Sequence, residues 1–289
     1  MIYDLLIAPF AEDAAMRHAL AACIALAFGG APIGVFLVLR RTALIGDALS
    51  HAILPGVAIA FVFAGFSLLW MTVGGVLAGL AVALLAGATA RLTPVKEDAS
   101  LAAFFIISLA IGTLLVSAFG TDEDLLHVLF GKVRELTPQA VLTIASIATG
   151  SMAILALIYR PLIAECFDPG FLRSAGRAGA LVHAVFLSLV VLNLVGGFQA
   201  LGTLMAVGLM MLPAVTARFW AETAGGQIAV AVGLTVAAAV TGLLASFHAA
   251  TQPEASIVLV AGVFYVVSLA VGPRDSIAAR LIRLRHLEA

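Results

Sequence analysis

Asp47 and His51 stand four residues apart in the run Asp47-Ala-Leu-Ser-His51-Ala-Ile-Leu-Pro55-Gly56. On a helix, that spacing puts a carboxylate and an imidazole on one face. Carboxylate oxygen and imidazole nitrogen together suit Mn²⁺, Zn²⁺ and Fe²⁺. Pro55 follows four residues after His51 and removes the helical hydrogen bond to the His51 carbonyl. Gly56 adds freedom beside it. The freed carbonyl needs water, a neighbouring helix or an ion. Two plainer readings stand beside the metal one. The pair is then a structural hydrogen bond, or Asp47 caps a helix near an interface.

The elements that must position these residues are lipid-soluble. Of 289 residues 63% are hydrophobic and 11% charged, against about a quarter charged in soluble domains. Mean hydropathy is +1.17. The fold class is an all-α polytopic membrane protein, in which an intramembrane acid is costly and points to substrate or ion handling. Counting helical rise from Arg41 puts Asp47 about 9 Å and His51 about 15 Å deeper, the latter near the middle of a ~30 Å core. A net charge of −1 leaves no basic footprint for nucleic acid. Cys23 and Cys166 read as two free thiols rather than a disulfide. The first 18 residues include Asp4, Glu12 and Asp13, which does not fit a cleavable leader. The first long apolar run is therefore expected to stay as a span.

Nine spans are expected, at about 19–39, 43–66, 68–90, 100–119, 139–159, 180–195, 199–217, 228–247 and 255–272. The sixth and seventh join tightly at Gly196-Gly197, where either reads as broken or re-entrant, so eight is the alternative count. With nine spans and the N-terminus outside, twelve Lys and Arg fall inside, among them Arg40, Arg41, Arg160 and Arg274. Only Arg17, Lys132 and Arg134 fall outside, which is the bias expected of a cytoplasmic C-terminus. Residues 1–289 form one membrane domain, with a cytoplasmic loop at 160–179 and a basic tail at 273–289. Small residues at helical spacing (Gly75, Gly79 and Ala83; Gly202 and Ala206) read as close helix packing.

Other ionisable positions are weaker. Asp124 and His127 lie in an apolar outer segment that reads as a metal entry lip or a solvated loop. His183 reads as a packed histidine, His248 as a wet interface residue. Phe167-Asp168-Pro169-Gly170-Phe171 is turn chemistry with aromatics, suited to docking a cytoplasmic partner. Gly131-Lys132 is followed by Val133, so no nucleotide-binding P-loop is present, and no H-E-x-x-H occurs. Energy for uphill transport must then come from a partner chain or an ion gradient.

The stretch from Gly34 to Gly56, with Arg40-Arg41, Gly46-Asp47, His51 and Pro55-Gly56, closely resembles the signature of ABC-type manganese/zinc/iron uptake permeases. Asp124-Leu-Leu-His127, Phe167-Asp168 with Gly176, Leu212-Pro213 and Gly272-Pro273-Arg274 agree with the same family. The resemblance implies the plasma-membrane subunit of a divalent-metal importer that is not itself an enzyme. It implies Asp47 and His51 contacting the passing metal, with no permanently bound cofactor. It implies ATP on cytoplasmic ATPase subunits, engaged around Phe167, Asp168 and Gly176, and an extracytoplasmic metal-binding protein. It also implies a homodimer or pseudo-dimer. The chain departs from the family at Pro253-Glu254-Ala255-Ser256, where an acid replaces a flexible glycine on the outer side. Two rivals remain: an ion-coupled secondary metal carrier, which should carry more intramembrane acids, and a membrane metalloenzyme, which should carry a third ligand.

Overall fold

In a computed structural model, Tyr3 and residues 6–65, 67–95, 97–119, 136–167 and 177–279 are described. Asp124, His127, Asp168, Gly176 and the tail beyond residue 279 lie outside the described residues. The described chain is helical: α1 Ala8–Glu12, α2 Ala14–Leu39, α3 Leu44–Ala52, α4 Leu54–Ala64, α5 Leu68–Leu92 and α6 Glu97–Phe119. It continues with α7 Pro138–Phe167, α8 Arg177–Leu201, α9 Thr203–Ala217, α10 Ala224–Ala249 and α11 Pro253–Val271.

Eight segments are long and apolar enough to cross a bilayer, among the described residues, with Ile45–Ala64 (α3 and α4 together) counted as one. That is the alternative count. The expected span missing from the eight is the seventh, 199–217, which is α9 with 15 residues. At 1.5 Å per residue it reaches about 22 Å, short of a ~30 Å core. The junction also differs from the expected one. Gly196 and Gly197 lie inside α8, and the chain breaks at Gly202 with φ 81° and ψ 162°. That conformation is open essentially to glycine alone. Gly196 and Gly197 instead give clearance, since an added Cβ would sit 2.9 Å from Ile147 Cδ1 and 2.9 Å from Ala206 Cβ respectively.

The N-terminus of α2 is capped by Asp13, whose carboxylate accepts from the Ala15 N–H at 2.8 Å. Behind that cap, α2 runs through the centre of the bundle. It packs against α7, α8, α9 and α10, and its residues from Gly29 to Val38 are buried. On one side α3 to α6 form a helical group, and on the other α9, α10 and α11 form a second. The main apolar core joins Ile33, Phe36 and Leu37 of α2 to Leu49, Ile53, Leu187 and Val191. Phe36 stands edge-on to Tyr159 and Phe186, at 5.8 and 6.3 Å between ring centroids. Leu77, Leu114, Leu157 and Leu259 point outward and exposed, as lipid-facing side chains do in a bundle with no aqueous exterior.

Small residues set the closest approaches, as expected for Gly75 and Gly79. A Cβ on Gly75 would stand 2.6 Å from Ile53 Cγ2, and one on Gly79 2.8 Å from Val191 Cγ1. Gly56 of α4 and Gly74 of α5 cross so closely that a Cβ on either would overlap the other's carbonyl oxygen, and a Cβ on Gly34 of α2 would overlap the Met210 carbonyl of α9.

Candidate functional site

The expected 43–66 span is two helices, α3 and α4, meeting at Ile53. Pro55 causes the break. With no N–H at 55, the Gly56 and Val57 N–H groups both turn to the Ile53 carbonyl, at 3.1 and 3.2 Å. Two carbonyls lose their ordinary helical partners. That of His51 accepts from the Ile53 N–H. That of Ala52 accepts from the Ser108 hydroxyl of α6 at 2.9 Å. The third oxygen anticipated at His51 is therefore already engaged, and the acceptor that reaches another helix is one residue further on.

Asp47 and His51 share one face of α3, and the Asp47 side of it is exposed. The His51 ring is half-buried and rests 5.9 Å from the Phe105 ring. Ser50 donates to the Asp47 carbonyl at 2.7 Å, which holds the turn between them. Because α3 begins at Leu44 and not at Arg41, the helical count applies only from Leu44, seven residues or about 10 Å of rise before His51.

One cavity of about 960 Å³ gathers the candidate residues. Asp47, Ser50 and His51 of α3 form one wall. The Gly202 break and the first two turns of α9 form a second, and residues 250–258 a third. Glu254, in the first turn of α11, lines the same space. The acid that departs from the family pattern thus faces the cavity of Asp47 and His51. No three His, Cys, Asp or Glu side chains converge closely enough to hold a metal, among the described residues. One copy therefore brings two side chains of α3 with metal-binding chemistry, Asp47 and His51, and a separate carboxylate, Glu254, to the cavity. An arrangement of that kind favours transient occupancy over storage.

Phe167, the last residue of α7, is 84% exposed. His183 is packed, as expected, and its setting includes a residue that the sequence did not single out. Glu165 accepts from Arg40 Nη2 at 3.2 Å, with both side chains only 10% exposed. Arg40 Nη2 also lies 2.6 Å from His183 Nδ1. Glu165 Oε1 lies 3.3 Å from the same nitrogen. Nδ1 accepts from Arg40 when the ring proton sits on Nε2, and donates to Glu165 when it carries a proton itself. Cys23 and Cys166 are both free thiols.

The sequence profile of the ABC 3 transport family matches residues 12–272. The manganese transport system membrane protein MntC of Halalkalibacterium halodurans is 31% identical over 269 residues, covering 93% of this chain and 91% of that protein. A protein described as a probable iron transport system membrane protein of Haemophilus influenzae is 29% identical, over 93% of this chain and 97% of its own length. Among solved structures, PsaBC from Streptococcus pneumoniae in complex with Fab superposes with a TM-score of 0.82 at 25% identity, covering 99% of this chain and 100% of that one.

Proposed function

The chain belongs to the ABC 3 transport family, and from that premise we propose that it is the membrane-spanning permease subunit of an ATP-driven importer of divalent transition metal ions. It is a multi-pass protein of the cell's plasma membrane. The observation that carries the metal reading is the cavity where Asp47 and His51 sit four residues apart at a proline break. The names of the relatives add manganese and iron as cargo.

The proposed path runs past α3. An ion delivered by an extracytoplasmic binding protein enters the cavity, exchanges waters for the Asp47 carboxylate and the His51 imidazole, and leaves when the ATPase subunits change state. Two side-chain ligands per copy become four if two copies meet across a two-fold axis at this face. Energy comes from partner ATPases that engage the exposed end of α7 at Phe167, with Asp168 and Gly176 beyond it. An N-terminus outside and a C-terminus inside require an odd number of crossings, with the 15-residue α9 as the ninth, and keep the arginines on the cytoplasmic side. Asp124 and His127 belong to the outer mouth in this scheme.

The test is uptake into proteoliposomes holding this chain with its ATPase. Asp47→Ala and His51→Ala should each lower ATP-dependent Mn²⁺ uptake by roughly tenfold or more, as loss of one good metal ligand does. Normal uptake by both folded variants would remove the site from the path.

A further inference from the structure

Arg40, Glu165 and His183 come from three helices and meet in a buried cluster distinct from the cavity of Asp47 and His51. Arg40 caps the end of α2, Glu165 sits in the last turn of α7, and His183 in the second turn of α8. The Arg40 guanidinium also lies over the Phe186 ring, 5.1 Å from its centroid. Gly87 of α5 leaves room for the imidazole, because a Cβ there would stand 3.3 Å from His183 Nε2.

Two features separate this cluster from a plain stabilising ion pair. It is made with one oxygen and one nitrogen, and among the described residues Arg40 Nη1 and Glu165 Oε2 are buried without a hydrogen-bond partner. An arginine–carboxylate pair gains most when both forks close in parallel, so a tighter arrangement is within reach of a small shift. The second feature is what the cluster joins. Phe167, the exposed end of α7, is two residues from Glu165. Arg40 is joined to α3 by a short bonded turn: Arg41 N–H to Val38 O at 3.1 Å, Thr42 N–H to Leu37 O at 2.9 Å and Ile45 N–H to Thr42 O at 3.1 Å. Arg41 holds φ 60°, a conformation uncommon outside glycine, so that turn is firmly determined by its surroundings.

We infer that Glu165 is a positioning residue that, through Arg40, carries movement of the α7 end to α3 and so to Asp47 and His51. The inference rests on the ATP-driven reading above and extends it. A partner pressing on Phe167 displaces the last turn of α7. Glu165 moves with it, the Arg40 contact changes between its one-point and two-point forms, and the bonded turn passes the displacement to α3. Coupling of this kind needs a connected element with two arrangements, which the unfilled fork supplies.

The experiment uses the complex of this chain with its ATPase subunits in proteoliposomes, reading Mn²⁺ uptake and ATP hydrolysis together. In Glu165→Gln, Mn²⁺ carried per ATP hydrolysed should fall roughly tenfold, towards the lower end of the usual range for coupling between sites. Mn²⁺ binding to the solubilised complex should stay within about twofold, since no ligand is removed. Arg40→Met/Glu165→Met removes both charges together, a change that buried pairs tolerate in folding. It too should hydrolyse ATP while carrying little metal. An unchanged uptake-to-hydrolysis ratio in Glu165→Gln overturns the inference. A wild-type ratio in the double variant overturns it as well, because packing alone would then suffice. ATP-dependent uptake by the unaltered complex tests the transport reading separately, so the two failures appear in different proteins.

Discussion

At the scale of residues, the cavity carries a charge pattern that Asp47 alone does not explain. Glu254 adds a second carboxylate, on a different helix and outside the reach of a shared three-ligand site. A carboxylate so placed raises the local concentration of cations ahead of the ligands rather than binding in their place. Glu254→Gln should therefore raise the Mn²⁺ concentration for half-maximal uptake about threefold or more, with the effect shrinking at high salt. Saturated uptake should change little. Half-saturation unchanged at both low and high ionic strength would reduce Glu254 to a helix-end charge.

At the scale of elements, the site depends on two breaks, and they were not equally legible. Pro55 announced the first. Proline has no N–H, so a disrupted ladder follows from the residue itself, and α3 and α4 do part at Ile53. The partner for the freed backbone was hidden, because Ser108 lies 56 residues further along the chain. Ser108→Ala should leave the buried Ala52 carbonyl without its donor and cost about 1–3 kcal/mol, read as a lower melting temperature of the solubilised chain. An unshifted melting temperature would mean that the carbonyl is satisfied some other way. The second break fell at Gly202 rather than at Gly196-Gly197 because three neighbouring glycines look alike in sequence. Only packing decides which two serve close approach and which takes positive φ. Gly202→Ala should cost about 1–3 kcal/mol for the strained backbone, and at Gly196 the cost should come from crowding Ile147. Glu165 was illegible for a similar reason, since its partner Arg40 is 125 residues away.

At the scale of the whole molecule, the decisive question is whether one copy contains a complete path. The cavity is lined by three segments of one chain, and α3 brings Asp47 and His51 to it, with Asp47 exposed. An acid at membrane depth is costly unless something covers the open side of the cavity that it lines. A second copy related by a two-fold axis would cover it with the same face and complete an Asp₂His₂ set. Mixing tagged wild-type and Asp47→Ala chains in equal amounts before reconstitution distinguishes the arrangements. If each transport unit needs two intact copies, only wild-type pairs work, and uptake falls to about one quarter of the unmixed value under random pairing. If each copy carries metal alone, uptake falls to about one half. Tag pull-down of the mixed material reports how completely the chains have paired, which fixes the expected value. An uptake near one half from fully mixed pairs would assign the whole path to a single chain, and the exposed face of α3 would then need a different cover.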